Sequence, residues 1–308
     1  MTQIDVIVPV FSTPLHFVGV ALDSLREQTH TGWTAWIVDD GSPDSYATAL
    51  SEVLAAYGDS RLKFVRAEHS GPAGSRNIGI LKGNSPYVAF LDSDDCWLPS
   101  HLSRQLATLE ADDRFVLAHG HRRIIDAEGR WQPTDPPQNG LDNLDPAQFL
   151  VRMLRENFIN ASSVVVRRSA LTRAGNFDAS FPCLVDKELW LRLLKGGARF
   201  RYDTEVVLLY RVHAQNISKK TDLLLETRQR IIAKAEAIIA GHPQYASIDW
   251  QALKEDMKRH MYLEAADAHF DQKRYWMALK YSAPRHSGLS APAVKLMLRS
   301  LARILLGH

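Results

Sequence analysis

From Ile4 to Lys82 the chain alternates short apolar runs with segments whose apolar residues recur at helical spacing. Ile4–Val10 reads as a strand, interrupted only by Asp5. Leu15–Gln28 carries Phe17, Val18, Ala21, Leu22 and Leu25 on one helical face. Trp33–Val38 is a second strand and runs into Asp39-Asp40-Gly41-Ser42. Asp44 or Ser45 is expected to cap a helix that reaches Tyr57. Leu62–Val65 is a third strand, Pro72–Leu81 a helix, and Tyr87–Leu91 a fourth strand ending on Asp92-Ser93-Asp94-Asp95. Strands alternating with helices predict a mainly parallel sheet with right-handed crossovers. Ligands then bind beyond the carboxyl ends of the strands. Polar clusters follow Val38, Val65 and Leu91, at those ends.

The middle of the chain is less regular. Pro133–Asp145 is rich in Pro, Asp and Asn and reads as a loop. Asp145–Leu154 reads as a helix, Ser162–Arg167 as a strand, and Lys187–Lys195 as an amphipathic helix stopped by Gly196-Gly197. Phe200–Tyr210 is strand-like again. From about Thr221 only helical patterns remain, including one hairpin-like unit over Tyr262–His286. The expected division is an α/β domain over 1–218 and a helical extension over 219–308.

Composition narrows this picture. The 308 residues are 45% hydrophobic and 23% charged, with a net charge of +2. Those values are ordinary for a soluble globular chain and give no support to nucleic-acid binding. Two distant cysteines, Cys96 and Cys183, make neither a disulfide framework nor a zinc site and fit a reducing compartment. No stretch has the apolar length of a membrane span. No basic region precedes the first strand, so the chain is expected to be cytoplasmic. Ala291–Leu306 is apolar apart from Lys295, Arg299 and Arg303, which form one basic stripe on a helix. Such a helix either packs on the rest of the chain or lies on an anionic membrane surface.

Four clusters carry candidate chemistry. Asp39-Asp40-Gly41-Ser42 offers carboxylates to a base or ribose, with Gly41 for a tight turn; a plain turn has the same composition. Asp92, Asp94 and Asp95 lie close together at the end of a buried strand. Their mutual repulsion would be relieved by Mg²⁺ or Mn²⁺ bridging to a pyrophosphate. Gly71-Pro72-Ala73-Gly74-Ser75-Arg76-Asn77 opens a helix, where small residues allow close approach and Arg76 meets a base or phosphate. Asp186 begins or precedes a helix, where capping alone accounts for it; as chemistry, it can deprotonate an attacking hydroxyl. His119 and His121 flank Gly120; such a pair can bind metal, but no third ligand is evident, and lining a substrate-facing side of the site is the better role. Trp97 and Trp190 are read as packing residues.

Taken in order, these segments resemble family 2 glycosyltransferases. The resemblance rests on Val6-Ile7-Val8-Pro9-Val10, Val38 to Asp44, Gly71 to Gly79, Phe90 to Trp97, Asn176-Phe177-Asp178, Asp186 to Arg192 and Tyr210-Arg211-Val212-His213. It covers roughly residues 3 to 218. It implies a GT-A fold, Rossmann-like and mainly parallel, flanked by helices, with an α-helical C-terminal extension. It further implies an inverting, metal-dependent transferase. The sugar moves from a nucleotide donor, UDP-linked by default, to a hydroxyl of a carbohydrate or lipid-linked acceptor in cell-surface polysaccharide or glycolipid synthesis. By resemblance Pro9, Val10, Asp39, Asp40, Arg76, Asp92 and Ser93 bind the nucleotide-sugar. Asp94, with Asp92 and His213, would hold Mn²⁺ or Mg²⁺, and Asp186 is the general base. Val185 stands where the family commonly has Glu. Two other readings remain. A sugar nucleotidyltransferase would carry a Gly-rich basic loop where Phe11-Ser12-Thr13-Pro14 stands. A non-catalytic nucleotide-binding scaffold would lack the acidic cluster or Asp186.

Overall fold

The computed structural model describes residues 1–213, 216, 221–240, 242–288 and 290–306. The chain forms two units. The first comprises Met1–Asp145 and Asn157–Ala214, the second Pro146–Glu156 and Gln215–His308. The boundary read at 218/219 lies outside the described residues.

The first unit is built on an eight-stranded sheet. Strands β1 (Ile4–Val10), β2 (Trp33–Asp40), β3 (Leu62–Ala67) and β4 (Tyr87–Phe90) alternate with helices α1 (Leu15–Arg26), α2 (Asp44–Tyr57) and α3 (Gly71–Lys82). These four strands are parallel, in the order β3-β2-β1-β4. Beyond β4 the sheet is mixed, but parallel pairings still outnumber antiparallel ones, as the mainly parallel expectation requires. The next strands are β5 (Cys96–Trp97), β6 (Phe115–Ile125), β7 (Val164–Arg167) and β8 (Arg199–Arg211), with helices α4 (His101–Ala111), α6 (Arg168–Ala174) and α7 (Val185–Lys195). The order continues β4-β7-β6-β8-β5; β7 runs antiparallel to both neighbours, β8 parallel to β6, and β5 antiparallel to β8. Strands β1 and β4 are apolar on both faces because helices cover both. Asp5, the one acid in β1, is buried and neutralised by Arg168 at 2.6 Å. Helix α3 lies close against β1 because residue 79 is glycine: a Cβ there would meet Ile7 Cγ2 at 2.5 Å. The expected side-chain cap on α2 does not form. Pro43 is the capping residue, and Asp44 is the first helical residue, its carboxylate held by Arg66 at 2.7 Å.

The second unit contains α5 (Pro146–Arg155), α8 (Thr221–Ala240), α9 (Trp250–Asp271), α10 (Tyr275–Ser282), α11 (Pro284–Ser287) and α12 (Ala291–Leu305). Leu225, Ile232, Met261, Ala265, Ala266, Tyr281 and Leu296 form its core. Arg155 on α5 pairs with Asp256 on α9 at 3.0 Å. Among the described residues no helix is long and apolar enough to cross a membrane.

Candidate active site

The carboxyl ends of the parallel strands gather the expected nucleotide-binding residues. Pro9 and Val10 end β1, and Asp39 and Asp40 are the last residues of β2. Asp39 is fully buried; it accepts from Arg66 Nη1 at 2.8 Å and from the Ser42 N–H at 3.2 Å. Asp40 reaches across to the start of α3. Its Oδ1 accepts from Ser70 N–H at 2.8 Å and Ser70 Oγ at 2.9 Å, and its Oδ2 from Gly71 N–H at 2.9 Å. His69 Nδ1 lies 3.0 Å from the same Oδ2. Asp40 thus serves as an N-terminal anion for α3, supplied by another strand. Gly41 has φ of 74°, and a Cβ there would meet the His69 backbone nitrogen at 2.6 Å. Only glycine satisfies both conditions.

Residues 11 to 13 are fastened between this turn and the acidic loop. Ser12 N–H donates to Ser42 Oγ at 2.9 Å, and Thr13 Oγ1 and Ser93 Oγ are 2.8 Å apart. Phe11 is 52% exposed and lies against His69, itself exposed, with ring centroids 4.5 Å apart and the planes tilted by 33°. An exposed aromatic pair beside these carboxylates offers a stacking face. The sequence reading missed it because isolated loop aromatics have no period.

The acidic loop follows β4. Arg76, almost fully buried on α3, donates to Asp92 Oδ1, and its other terminal nitrogen donates to Pro72 O at 2.9 Å. The Asp92 N–H donates to Ser162 Oγ at 3.0 Å. Asp94 Oδ2 lies 2.8 Å from His213 Nε2. Asp95 is buried and accepts from the Arg211 N–H at 2.9 Å. Arg211 also donates through Nε to Asp94 O at 2.8 Å, so the end of β8 fastens the loop. Burial and the neighbouring Asp92 push the Asp94 carboxyl up, against the pull of His213. Asp95 is pushed up further by burial, then by Asp94 and Asp92. The repulsion inferred from the sequence is therefore present. Sequence pattern gives no signal for Ser162, and Arg211 sits in the Tyr210–His213 motif, in which only His213 carries a role by resemblance.

Asp186 is the second residue of α7. Leu184, just before the helix, has φ of 52°, a left-handed conformation that costs a non-glycine residue about 1–3 kcal/mol. That kink turns the chain into α7. Asp186 Oδ1 accepts from the Lys187 N–H at 2.8 Å. Burial raises the Asp186 carboxyl, the Lys187 N–H and Arg76 oppose the rise, and Asp92 adds to it. Asp186, Arg76 and Asp92 therefore share one electrostatic neighbourhood. Asn176-Phe177-Asp178 explains how. The Asn77 side chain on α3 exchanges two 2.9 Å hydrogen bonds with the Phe177 backbone. Arg192 on α7 pairs with buried Glu188 at 2.7 Å and donates to Asn176 O at 2.5 Å. The 176–177 turn thereby joins the helix of Arg76 to the helix of Asp186.

Two expectations change. His119 is fully buried between Tyr202 and Phe158, so it does not line an acceptor surface; it occupies an inward-facing position of β6. Asp92 faces Arg76, while Asp94 faces His213. Among the described residues no group of three or more His, Cys, Asp or Glu is arranged to hold a metal ion. Asp94 and His213 are instead paired with each other, 2.8 Å apart, while burial and the neighbouring carboxylates push Asp94 and Asp95 up. Trp97 and Trp190 are packing residues, fully buried, with indole N–H groups donating to Ser162 O at 2.6 Å and Ile159 O at 3.2 Å.

Comparison with known proteins bears on the family and the fold. The family model for glycosyl transferase family 2 matches residues 5–173. An Escherichia coli protein, UDP-Glc:alpha-D-GlcNAc-diphosphoundecaprenol beta-1,3-glucosyltransferase WfaP, is 29% identical over 73% of this chain and 83% of its own length. The succinoglycan biosynthesis protein ExoW of Rhizobium meliloti is 36% identical over 62% of each chain. Uncharacterized glycosyltransferases of Rickettsia bellii and Rickettsia felis match over only 18% and 35% of their own lengths. Among solved structures, the mannosyltransferase PcManGT from Pyrobaculum calidifontis in complex with GDP-Man and Mn²⁺ superposes with a TM-score of 0.63. It is 18% identical, over 98% of this chain and 80% of that one. Staphylococcus aureus TarS 1-349 in complex with UDP-GlcNAc gives 0.62 at 14% identity, over 100% and 93%. These likenesses show the fold, GT-A followed by a helical region.

Proposed function

The chain belongs to glycosyl transferase family 2 and is a glycosyltransferase, and from that premise we propose that it is a metal-dependent, inverting enzyme that moves a sugar from a nucleotide-sugar, UDP-linked, to a hydroxyl of a lipid-linked saccharide. The pathway is cell-surface polysaccharide or glycolipid synthesis. The donor and acceptor chemistry is supported by WfaP, whose name gives a UDP-sugar donor and a diphosphoundecaprenol acceptor, and by the UDP-GlcNAc complex of TarS. The observation that carries the mechanism is the shared electrostatic neighbourhood of Asp186, Arg76 and Asp92, three groups from three separate elements.

The roles follow from the chemistry. Pro9, Val10, Asp39 and Asp40 form the wall of the nucleotide pocket, with Phe11 and His69 as its aromatic face. Arg76, Asp92 and Ser93 hold the sugar-diphosphate side. Asp94 with His213 would hold Mn²⁺ or Mg²⁺, whose charge stabilises the departing nucleoside diphosphate. Asp186 accepts the proton of the acceptor hydroxyl. The freed oxygen bonds to the anomeric carbon from the side opposite the diphosphate. The carbon–oxygen bond to the diphosphate breaks, and its electron pair leaves with the phosphate oxygen. A raised carboxyl pKa suits this work, because a base closer to neutral holds the proton better. The first unit carries all these groups and is read as the catalytic domain. In the second, α12 leaves Leu298 and Leu305 exposed beside Lys295, Arg299 and Arg303, which suits peripheral contact with the inner membrane face.

The test is calorimetric titration of UDP, GDP and dTDP with and without Mn²⁺, on wild type and Asp94→Ala. Metal-dependent binding of one nucleotide, lost in the variant, is expected. Absence of nucleotide binding by a folded protein would overturn the reading.

A further inference from the structure

Most tyrosines of the first unit have their hydroxyls engaged. Tyr46 donates to Thr13 O at 2.5 Å and Tyr57 to Gly19 O at 3.1 Å. The Tyr87 and Tyr202 hydroxyls accept from Arg167 Nη1 at 3.1 Å and from the Gln138 N–H at 3.2 Å. Tyr210, near the end of β8, is the exception: among the described residues its hydroxyl has no hydrogen-bond partner. Its side chain is half-buried and packs on the apolar core of the unit. A phenylalanine would pack there as well, with no hydroxyl to satisfy, so water or a ligand must supply the partner.

The ring is held beside the acidic loop. In the parallel β6–β8 ladder Arg122 pairs with Leu208 and Ile124 with Tyr210, so Arg122 and Tyr210 share one face of the sheet. The Arg122 guanidinium lies 5.2 Å from the centre of the Tyr210 ring and donates to the Asn160 side chain. Asn160 directly precedes the turn Ala161–Ser163, whose Ser162 Oγ accepts from the Asp92 N–H at 3.0 Å. Arg211, the next residue after Tyr210, fastens Asp94 and Asp95. The titration of the phenol agrees with this placement. Burial raises it, Asp95, Asp92 and Asp94 add to the rise, and Arg122 opposes it. Asp92 acts on the Asp186 carboxyl as well, so phenol and base share its neighbourhood.

Chemistry and position narrow the ligand. A phenol that stays protonated can donate. Three carboxylates against one guanidinium leave the field there negative on balance, which disfavours a phosphate and admits a neutral hydroxyl. The residues that wall the nucleotide are on β1, β2 and α3, whereas β6 and β8 lie past β4 and β7 along the sheet. We propose that Tyr210 is an acceptor-binding residue: its phenol donates a hydrogen bond to a hydroxyl oxygen of the acceptor saccharide, and Arg122 positions the ring. The inference rests on the glycosyltransferase reading of the Asp92–Asp186 site, with a lipid-linked saccharide as acceptor.

The experiment measures sugar transfer by the full chain with Mn²⁺ to GlcNAc-diphosphoundecaprenol, from whichever of UDP-Glc, UDP-GlcNAc or GDP-Man reacts. Wild type and Tyr210→Phe are compared on this acceptor and on versions lacking, one at a time, each hydroxyl of the GlcNAc that does not react. Melting curves and nucleotide titration are the controls. Tyr210→Phe removes one oxygen and keeps the ring, so melting temperature and nucleotide affinity should hold while the acceptor KM rises about tenfold. One deoxy acceptor should lose a similar amount with wild type and nothing further with the variant, which marks the hydroxyl that the phenol contacts. A merely structural tyrosine would give additive losses on every deoxy acceptor. That result overturns the inference. So does an unchanged acceptor KM, or a matching loss of nucleotide affinity, which would move the phenol to the donor. Absence of transfer by wild type from all three donors would instead strike the acceptor reading beneath it, and the inference with it.

Discussion

At the scale of single residues, the sharpest claim concerns Asp186. Its carboxyl is raised chiefly by burial, while it accepts from the Lys187 N–H of its own helix. A group with only that structural use can be neutralised without unfolding the protein. Asp186→Asn should lower kcat by about 10²–10⁴-fold while nucleotide affinity changes little, read by sugar transfer and by titration calorimetry. Retention of transfer would remove Asp186 as the base. His101 and His119 make a different residue-scale case. Both are fully buried, neither ring nitrogen of either has a hydrogen-bond partner among the described residues, and burial lowers each from 6.5 to about 3. Below pH 6.5 the unfolded chain takes up protons that the folded chain refuses, so stability rises with pH and is lost on acidification towards pH 3. Each histidine should cost ~2 kcal/mol at about pH 5 relative to neutral pH. Urea unfolding at the two pH values should show a smaller difference in His101→Gln and His119→Gln than in wild type; equal differences would refute the assignment.

At the scale of elements, the join between α3 and α7 carries the argument. Arg76 and Asp186 belong to helices more than a hundred residues apart in sequence, and the Asn77–Phe177 exchange holds them in one neighbourhood. Asn77→Ala should cost ~1–2 kcal/mol of stability for two hydrogen bonds. It should also lower kcat more than it changes nucleotide affinity, since the shift separates base from donor. A variant that loses stability but keeps kcat would reduce the join to scaffolding. Much of this half of the molecule was legible. The β1 to β4 alternation could be read because β1, β2 and β4 are largely apolar runs, β3 is a short run bounded by polar residues, and the helices between them carry an apolar face. The strands β6 and β5 were not. In β6, Gly120-His121-Arg122-Arg123 breaks the alternation just where the register with β8 shifts twice. Strand β5 has two residues, too few for any period. The mixed half of the sheet depends on long-range pairing, which periodicity does not encode. The site residues were legible as an ordered set of motifs; their mutual bonds, such as Arg76 to Asp92, were not, because they cross elements.

At the scale of the whole molecule, the C-terminal helix poses the remaining question of where the enzyme works. Helix α12 packs within the second unit through Ala293, Leu296 and Ser300. That uses only part of its apolar surface: Leu298 and Leu305 are 59% and 84% exposed. Lys295, Arg299 and Arg303 run beside them, and Ala291–Leu305 contains no acid. Packing alone gives no reason to keep large leucines in water next to a row of cations. An anionic bilayer satisfies both at once, the leucines entering the interface and each cation adding about 1 kcal/mol of attraction. It would also bring a lipid-linked acceptor to the enzyme. Leu298→Gln/Leu305→Gln changes only exposed side chains, so melting temperature and nucleotide binding should hold. Co-sedimentation with vesicles containing phosphatidylglycerol should fall about tenfold or more, and raised salt should weaken wild-type binding as it screens the cations. Unchanged co-sedimentation, or equal binding to vesicles of neutral phosphatidylcholine alone, would show that the helix does not read membrane charge.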